Sequence, residues 1–421
     1  MPSDRQSRSI LQYRQNGAGR AIFLPDGWLI GHMIEYHISR RSCGPWEYPP
    51  IAVRHTKRMR WKERLFLIVT LIILFTGLET AARLVLHRIP LWNRLPGASD
   101  LRYKMWWIER HSADTTIYYT FDIYHPQRGW ALEPGLRDVP LEWGETLNSN
   151  SRGIRGIRET SYDRSPGIKR MLVLGDSFTF GDEVGDDETI PACLESALPG
   201  WEVINMGVHG YGHDQMLLYF EEEGIKYRPD IVALVFLNMD ILRNMLSFRD
   251  YAKPRFERRA GGLVLTNVPV PTPDETLRRH RIGPRLLDLA RIAWEARHRF
   301  TGSSAAAKRH AAARQLTSEI MIRLLDRIKA IDAEPLWIFL PAPKELEGPG
   351  EELTSHDDYF EVFCRSHDVL YISLLPFFVP RAEELLSPEG LGENHWRAPV
   401  NQLAAELTAQ HMARHLSGRL D

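Results

Sequence analysis

Met171-Leu-Val-Leu-Gly-Asp-Ser-Phe-Thr-Phe-Gly181 joins an apolar strand to a sharp turn and with it sets the fold class. A short apolar run enters a Gly-Asp-Ser turn with no linker between them, and Gly181 closes the turn. A strand with no polar face belongs in a parallel sheet covered on both sides. A strand-to-helix turn at its end exposes a serine hydroxyl and leaves backbone N–H groups free to meet an oxyanion. Ser177 is therefore the candidate nucleophile. A Gly-Asp-Ser triplet alone is common in turns. No Gly-Lys-Ser/Thr follows it, so the phosphate-binding P-loop pattern is excluded.

Working outward, the same kind of apolar run recurs at Val203–Ile204, Ile231–Phe236, Leu336–Leu340 and Val369–Ile372. Stretches of helical period lie between and after them, at about 191–198, 213–223, 273–300, 309–332, 351–367 and 398–416. This alternation predicts an α/β fold: a doubly wound, three-layer α/β/α sandwich on a central, mostly parallel five-stranded sheet of flavodoxin-like type. Ligands of such folds sit at the carboxyl ends of the strands. The segment 241–332 is longer than a crossover needs and reads as an insertion. Within it, Pro254 to Pro271 forms a hairpin with Gly261-Gly262 at its turn, and Thr272-Pro273-Asp274-Glu275 starts a capped helix. The basic run from Arg278 to Arg314 reads as a solvated helical face, with contact to anionic lipid or polysaccharide as the alternative. Ser303–Ala307 reads as a loop between helices.

The residues around the four strand ends resemble, in order, the blocks of SGNH (GDSL-like) hydrolases. Gly175-Asp176-Ser177 resembles the first block and Val203-Ile-Asn-Met-Gly-Val-His-Gly-Tyr-Gly212 the second. Ile231-Val-Ala-Leu-Val-Phe-Leu-Asn-Met-Asp240 resembles the third and Glu393-Asn-His-Trp396 the last. The resemblance covers 165–421 and continues faintly back through Asn148–Arg155. It implies a serine hydrolase of ester bonds with Ser177 as nucleophile and His395 as general base and then acid. It further implies a carboxylate just before the histidine, which here is Glu393 where the family usually has Asp. The oxyanion hole it implies is made by the amides of Ser177 and Gly207 and by a side-chain amide after the third strand. There Met239 stands in the family's Asn position and Asn238 comes one residue earlier. A one-residue slip turns a side chain to the other face of a strand, unless a bulge restores its aim. No metal and no cofactor is implied. His209, His213 and Asp214 are separated by Gly210 and Gly212, which suggests a loop rather than a helical ligand pair. Asp186, Asp187 and Glu188, ahead of Pro191, read as helix-capping residues.

The remaining sequence sets the context. With 421 residues, 43% hydrophobic and 25% charged, the chain has material for a real core plus appended segments. A formal net charge of −1 gives no global attraction to nucleic acid. Cys43, Cys193 and Cys364 lack metal-ligand spacing and read as thiols. Leu65–Leu78 is uncharged, and the apolar character continues to Leu86 past Glu79 and Arg83. That length suffices for a spanning helix of about 20 residues, with Arg83 snorkelling or pairing Glu79. The basic flank from Arg54 to Arg64 should stay cytoplasmic, placing the bulk of the chain on the extracytoplasmic side. We therefore read 59–88 as an uncleaved single-pass signal anchor. A cleaved signal peptide puts Glu79 where a small residue belongs, and a buried core helix is the third reading. Residues 1–58 form a polar tail. Either translation starts at Met59 or the tail is disordered. Residues 89–165, rich in aromatics, read as strands and loops leading into the hydrolase domain at 166–421, with no chemistry of their own. The function expected is a serine esterase, deacetylase or O-acyltransferase acting on an envelope or surface glycan or lipid ester. The alternative is an impaired SGNH module that binds glycan in a polysaccharide-assembly complex, suggested by Glu393 and Met239.

Overall fold

The computed structural model describes residues 60–95, 99–113, 121–141, 144–299, 303–347 and 351–415. The N-terminal tail, its proposed start at Met59 and Cys43 lie outside the described residues. The chain divides into two compact units, Met1–Arg64 and Leu65–Asp421, and the second holds the fold described below.

Helix α1 runs over Trp61–Arg88. Residues Leu65 to Leu78 stand out from the rest of the unit, with Phe66, Ile72 and Ile73 each more than half exposed. Ala82 and Leu86 are buried, and Glu79 and Arg83 on the same face make polar contacts with the domain, so only the C-terminal turns dock. Helix α2, Asp100–Ala113, follows. The lead-in is thus partly helical rather than all strand and loop. It then forms a pair, β1 (Asp122–His125) with β2 (Gly129–Leu132), and a second pair, β3 (Val139–Pro140) with β4 (Thr146–Leu147).

The central sheet has five strands: β5 (Lys169–Gly175), β6 (Trp201–Gly207), β7 (Ile231–Phe236), β10 (Glu334–Phe339) and β11 (Leu370–Ser373). Their spatial order is β11-β10-β7-β5-β6, and every pairing is parallel. Met171–Leu174 and Ile231–Phe236 are fully buried, which explains why these runs carry no polar alternation. Helices α4 (Ile190–Ala197) and α14 (Ala398–His415) pack together, with α4 against β6. Helix α5 (His213–Glu222) packs on β5 and on α9 (Ser303–Lys329), which also contacts β10. Helices thus cover the sheet, giving the three-layer α/β/α sandwich. The chain leaves β5 for β6 on one side and returns to β7 on the other, so the topological switch lies at the carboxyl end of β5.

The insertion carries the hairpin β8 (Arg255–Arg259) with β9 (Gly262–Thr266) and two helices, α7 (Pro273–Ile282) and α8 (Arg285–Arg299). One helical pattern across 273–300 becomes two helices because Gly283-Pro284 interrupts it. Thr272 caps α7, its Oγ1 accepting from Glu275 N at 3.2 Å. Ser303 lies at the start of α9 rather than in a loop. Short helices follow strand ends: α3 (Ser177–Phe180) after β5, α6 (Asn238–Arg243) after β7 and α10 (Pro343–Leu346) after β10. Helix α11 (Glu351–His367) precedes β11, and α12 (Leu375–Phe378) and α13 (Ala382–Leu385) follow it.

Candidate active site

Strand β5 delivers Ser177 directly onto the first position of α3. Asp176 caps that helix, its Oδ1 accepting from Phe178 N at 3.0 Å. Gly181 ends it at a φ of 91°, a left-handed conformation that glycine adopts without strain. The loop before α14 brings His395 back over the turn. Its Nε2 lies 2.9 Å from Ser177 Oγ, and its Nδ1 lies 3.0 Å from Glu183 Oε1. Serine, imidazole and carboxylate therefore form an unbroken hydrogen-bonded line.

The carboxylate in that line is Glu183, and this corrects the expectation for Glu393. Glu393 meets Glu183 through its backbone: its N–H donates to Glu183 Oε2 at 2.7 Å, and Asn394 N–H donates to Oε1 at 3.0 Å. Burial pushes the Glu183 carboxyl up, but His395 and these two amides outweigh it and hold it below its ordinary value. Glu183 lies just past the glycine that ends α3. Its acidic neighbour pair, Asp182-Glu183, was the available signal. Burial lowers the His395 imidazole, and Glu183, Asp182 and Asp176 more than reverse this, leaving it above its ordinary value. Asp182 Oδ2 stands 3.7 Å from His395 Nε2, and burial raises the Asp182 carboxyl.

Two further expectations need correction. The Gly207 amide donates to Asn205 Oδ1 at 2.9 Å and is not open to an oxyanion. Gly207 is there for packing, since a Cβ on it would lie 2.4 Å from Phe180 N and 2.8 Å from Thr179 C. Asn205 Nδ2 meanwhile holds Thr179 O at 3.0 Å, tying β6 to α3. Asn238 begins α6, and its Nδ2 donates to Glu345 Oε1 at 2.7 Å, away from the serine. Met239, exposed, lines the cavity instead. The Ser177 and Gly210 amides make no hydrogen bond among the described residues, and both residues line the cavity.

A buried cationic lock lies beneath. Arg243 Nη1 donates to Asp176 Oδ2 and Asp240 Oδ1, both at 2.7 Å, and to Tyr211 O at 3.0 Å. It joins the residue before the nucleophile to the helix after β7. Burial, then the nearby Asp176, push the Asp240 carboxyl well up.

The lead-in also reaches the site, where Phe121 and Leu141 line the cavity. Asp122 on β1 receives His209 Nε2 at 2.8 Å, and Asp250 lies 4.0 Å from His209 Nδ1. Burial lowers the His209 imidazole, but Asp122, Asp182 and Asp250 carry it up to about 9, so it stands in the wall of the cavity as a cation near neutrality. His213 and Asp214 are occupied elsewhere: His213 Nδ1 lies 3.1 Å from Asn244 Nδ2, and Asp214 pairs with the buried Lys253. Among the described residues no group of His, Cys, Asp and Glu has a metal-binding arrangement. Of the acidic trio Asp186 to Glu188, Glu188 caps a short helical turn, its Oε2 accepting from Gly185 N at 3.0 Å, whereas Asp186 holds Arg155 Nε at 2.9 Å and Thr189 Oγ1 caps α4.

The cavity over the serine has a volume of about 820 Å³. Phe121, Leu141, Phe178 and Leu391 give it apolar walls, and Arg249 and Lys344 bring positive charge to it. Such a site offers a polar acyl-transfer centre beside room for a bulky group.

No protein-family model and no curated protein sequence matches the chain. Solved structures do resemble it. One is a member of the lipolytic protein G-D-S-L family from Veillonella parvula DSM 2008, at 10% identity and a TM-score of 0.34, covering 59% of this chain and 99% of that one. Another is a GDSL-like lipase from Bacteroides thetaiotaomicron VPI-5482, at 13% identity and a TM-score of 0.34, covering 58% and 89%. A third is a two-domain esterase active on acetylated mannans, at 10% identity and a TM-score of 0.35, covering 59% of this chain and 49% of that one.

Proposed function

We propose that the chain is an SGNH-type serine hydrolase of ester bonds, held at a membrane by α1 with its catalytic domain on the extracytoplasmic side. The observation that carries this reading is the line Ser177 Oγ–His395 Nε2–His395 Nδ1–Glu183 Oε1, at 2.9 and 3.0 Å. His395 takes the Ser177 proton as Oγ attacks the acyl carbon, and Glu183 keeps the other ring nitrogen protonated and balances the imidazolium. The Ser177 amide, at the first position of α3, and the Gly210 amide are the donors proposed for the oxyanion. The imidazolium then protonates the leaving alcohol, freeing it and leaving an acyl-serine. Water resolves that intermediate in hydrolysis and a sugar hydroxyl in acyl transfer, so the same residues serve an esterase, a deacetylase or an O-acyltransferase.

The proposed substrate is an acylated envelope or surface glycan or lipid ester. Support for its place comes from α1, which is long and apolar enough to cross a membrane and has only 6% of its most apolar window buried. An apolar face of that extent is not stable in water. The alternative, an impaired glycan-binding module, drew on Glu393 and Met239. Glu183 at His395 Nδ1 weighs against the part of that support that came from Glu393.

Covalent labelling by a fluorophosphonate tests the reading. Wild type should label, and Ser177→Ala and His395→Ala should not. A folded wild type that stays unlabelled turns the assignment toward the glycan-binding module.

A further inference from the structure

We propose that the cleft between α2, α7 and α8 binds the phosphate of an anionic phospholipid headgroup, seating the α7–α8 hairpin on the membrane where α1 leaves it. This rests on reading α1 as a membrane span.

The turn between α7 and α8 lies against the C-terminal part of α1. Glu79 Oε1 accepts from Arg285 N at 2.9 Å and its Oε2 from Leu286 N at 3.1 Å, while Arg83 Nη2 donates to Gly283 O at 3.2 Å. If α1 crosses the bilayer through Leu78, Glu79 and this turn stand where the helix leaves it. The side chains around it suit that position. Ile282 is 70% exposed, Leu287 58% and Trp294 60%. Leu287 and Trp294 lie two turns apart on one face of α8, and tryptophan is enriched at membrane interfaces.

Beside them is a cleft of about 430 Å³, lined by Lys104, Arg279, Arg285 and Arg291. Three carboxylates also line it, but two are already committed. Asp100 accepts from Ser247 N and Phe248 N and from the Ser247 hydroxyl, and Asp288 accepts from Arg285 Nη1 at 2.9 Å. Glu295 is the third. The side chains of Lys104 and Arg291 make no hydrogen bond or ion pair among the described residues. Burial, then Arg291, Arg285 and Arg279, hold the Lys104 ammonium below its ordinary value despite Asp288. Burial, Arg285, Lys104 and Arg83 push His280 down to about 3, so it is neutral and its Nδ1 accepts from Arg285 at 2.8 Å. Arg279 pairs with Glu275 and Arg285 with Asp288, which leaves Lys104 and Arg291 as the two cations of the cleft with no side-chain ion pair among the described residues. Set next to exposed apolar side chains and the exit of a spanning helix, they complement a phosphate whose acyl chains continue into the bilayer.

The test uses the full chain in detergent, titrated with dioctanoyl-phosphatidylglycerol, dioctanoyl-phosphatidylcholine and inorganic phosphate, with native mass spectrometry as the readout. Phosphatidylglycerol should bind wild type about tenfold or more tighter than phosphatidylcholine. Lys104→Gln/Arg291→Gln should lose that preference while keeping the wild-type rate of serine labelling. If the double variant fails to fold, Arg291→Gln alone, at an exposed position, carries the comparison. Equal binding of the two lipids, an unaffected variant, or inorganic phosphate binding as tightly as phosphatidylglycerol each overturns the headgroup site. Alkaline washing of membranes separates this from the anchor. Chain that stays in the pellet yet shows no lipid preference refutes the cleft alone, whereas released chain refutes the anchor.

Discussion

Glu183 receives two backbone amides as well as His395, so its position is set by the chain rather than by the imidazole alone. A carboxylate pre-placed in this way costs little to reorganise when His395 becomes charged. The raised His395 imidazole has a kinetic consequence. Only the neutral ring can take the serine proton, so reactivity should rise with pH through an apparent pKa above the ordinary 6.5. Removing a nearby negative charge lowers that pKa, so Asp182→Asn should move the profile toward acid. The rate of fluorophosphonate labelling across pH reads both, and a midpoint at or below 6.5, or one indifferent to Asp182, counts against the assignment. Asn238 gives a second expectation at this scale. Its side chain faces Glu345, so Asn238→Ala should label within about threefold of wild type, whereas loss of an oxyanion donor costs about a hundredfold or more. The meeting of Ser177 with His395 was legible because each stands in a local pattern at a strand end or a late loop. Glu183 was not, because its role depends on where the C-terminal loop returns, a contact across 212 positions of sequence.

At the scale of elements, α3 is held from two sides. Strand β6 approaches so closely at Gly207 that a methyl group there would meet Phe180 N. Gly207→Ala should therefore destabilise by about 1–3 kcal/mol and slow serine labelling by shifting α3. Denaturant unfolding alongside labelling checks this, and a variant unchanged in both would show that the contact yields freely. From the other side Arg243 ties Asp176 to Asp240. Arg243→Met leaves two buried carboxyls without their cation and should cost about 3–5 kcal/mol, seen in the same unfolding curves. Strands and most helices were readable because a two-sided parallel sheet demands short apolar runs, and the runs at Met171 and Ile231 met that demand. Helix α2 was missed: its core residues Leu101, Met105, Trp107 and Ile108 are interleaved with Arg102, Lys104 and Trp106, which blurs the helical period.

For the whole molecule, the proposed function gives the apolar helix α1 the task of setting where the chemistry happens and the α/β domain that of performing it. The basic residues before α1 predict that the C-terminus faces away from the cytoplasm. Alkaline phosphatase fused after Asp421 should be active in the extracytoplasmic compartment, and activity confined to the cytoplasm would reverse the orientation. The lead-in shows why segment-by-segment reading fails at this scale. Asp122 and Arg128 fold onto His209 and Glu222, and of these four His209 stands in the wall of the cavity. Nothing local marks such long-range partners.

In the proposed mechanism Glu183, not Glu393, orients His395 for attack by Ser177. The most direct measurement is the fluorophosphonate labelling rate of Glu183→Gln beside that of Glu393→Gln at one pH. By this mechanism the rate for Glu183→Gln should fall about a hundredfold or more, in keeping with loss of a triad acid, and that for Glu393→Gln should stay within about threefold of wild type. The reverse order, or equal rates for the two variants, would contradict it.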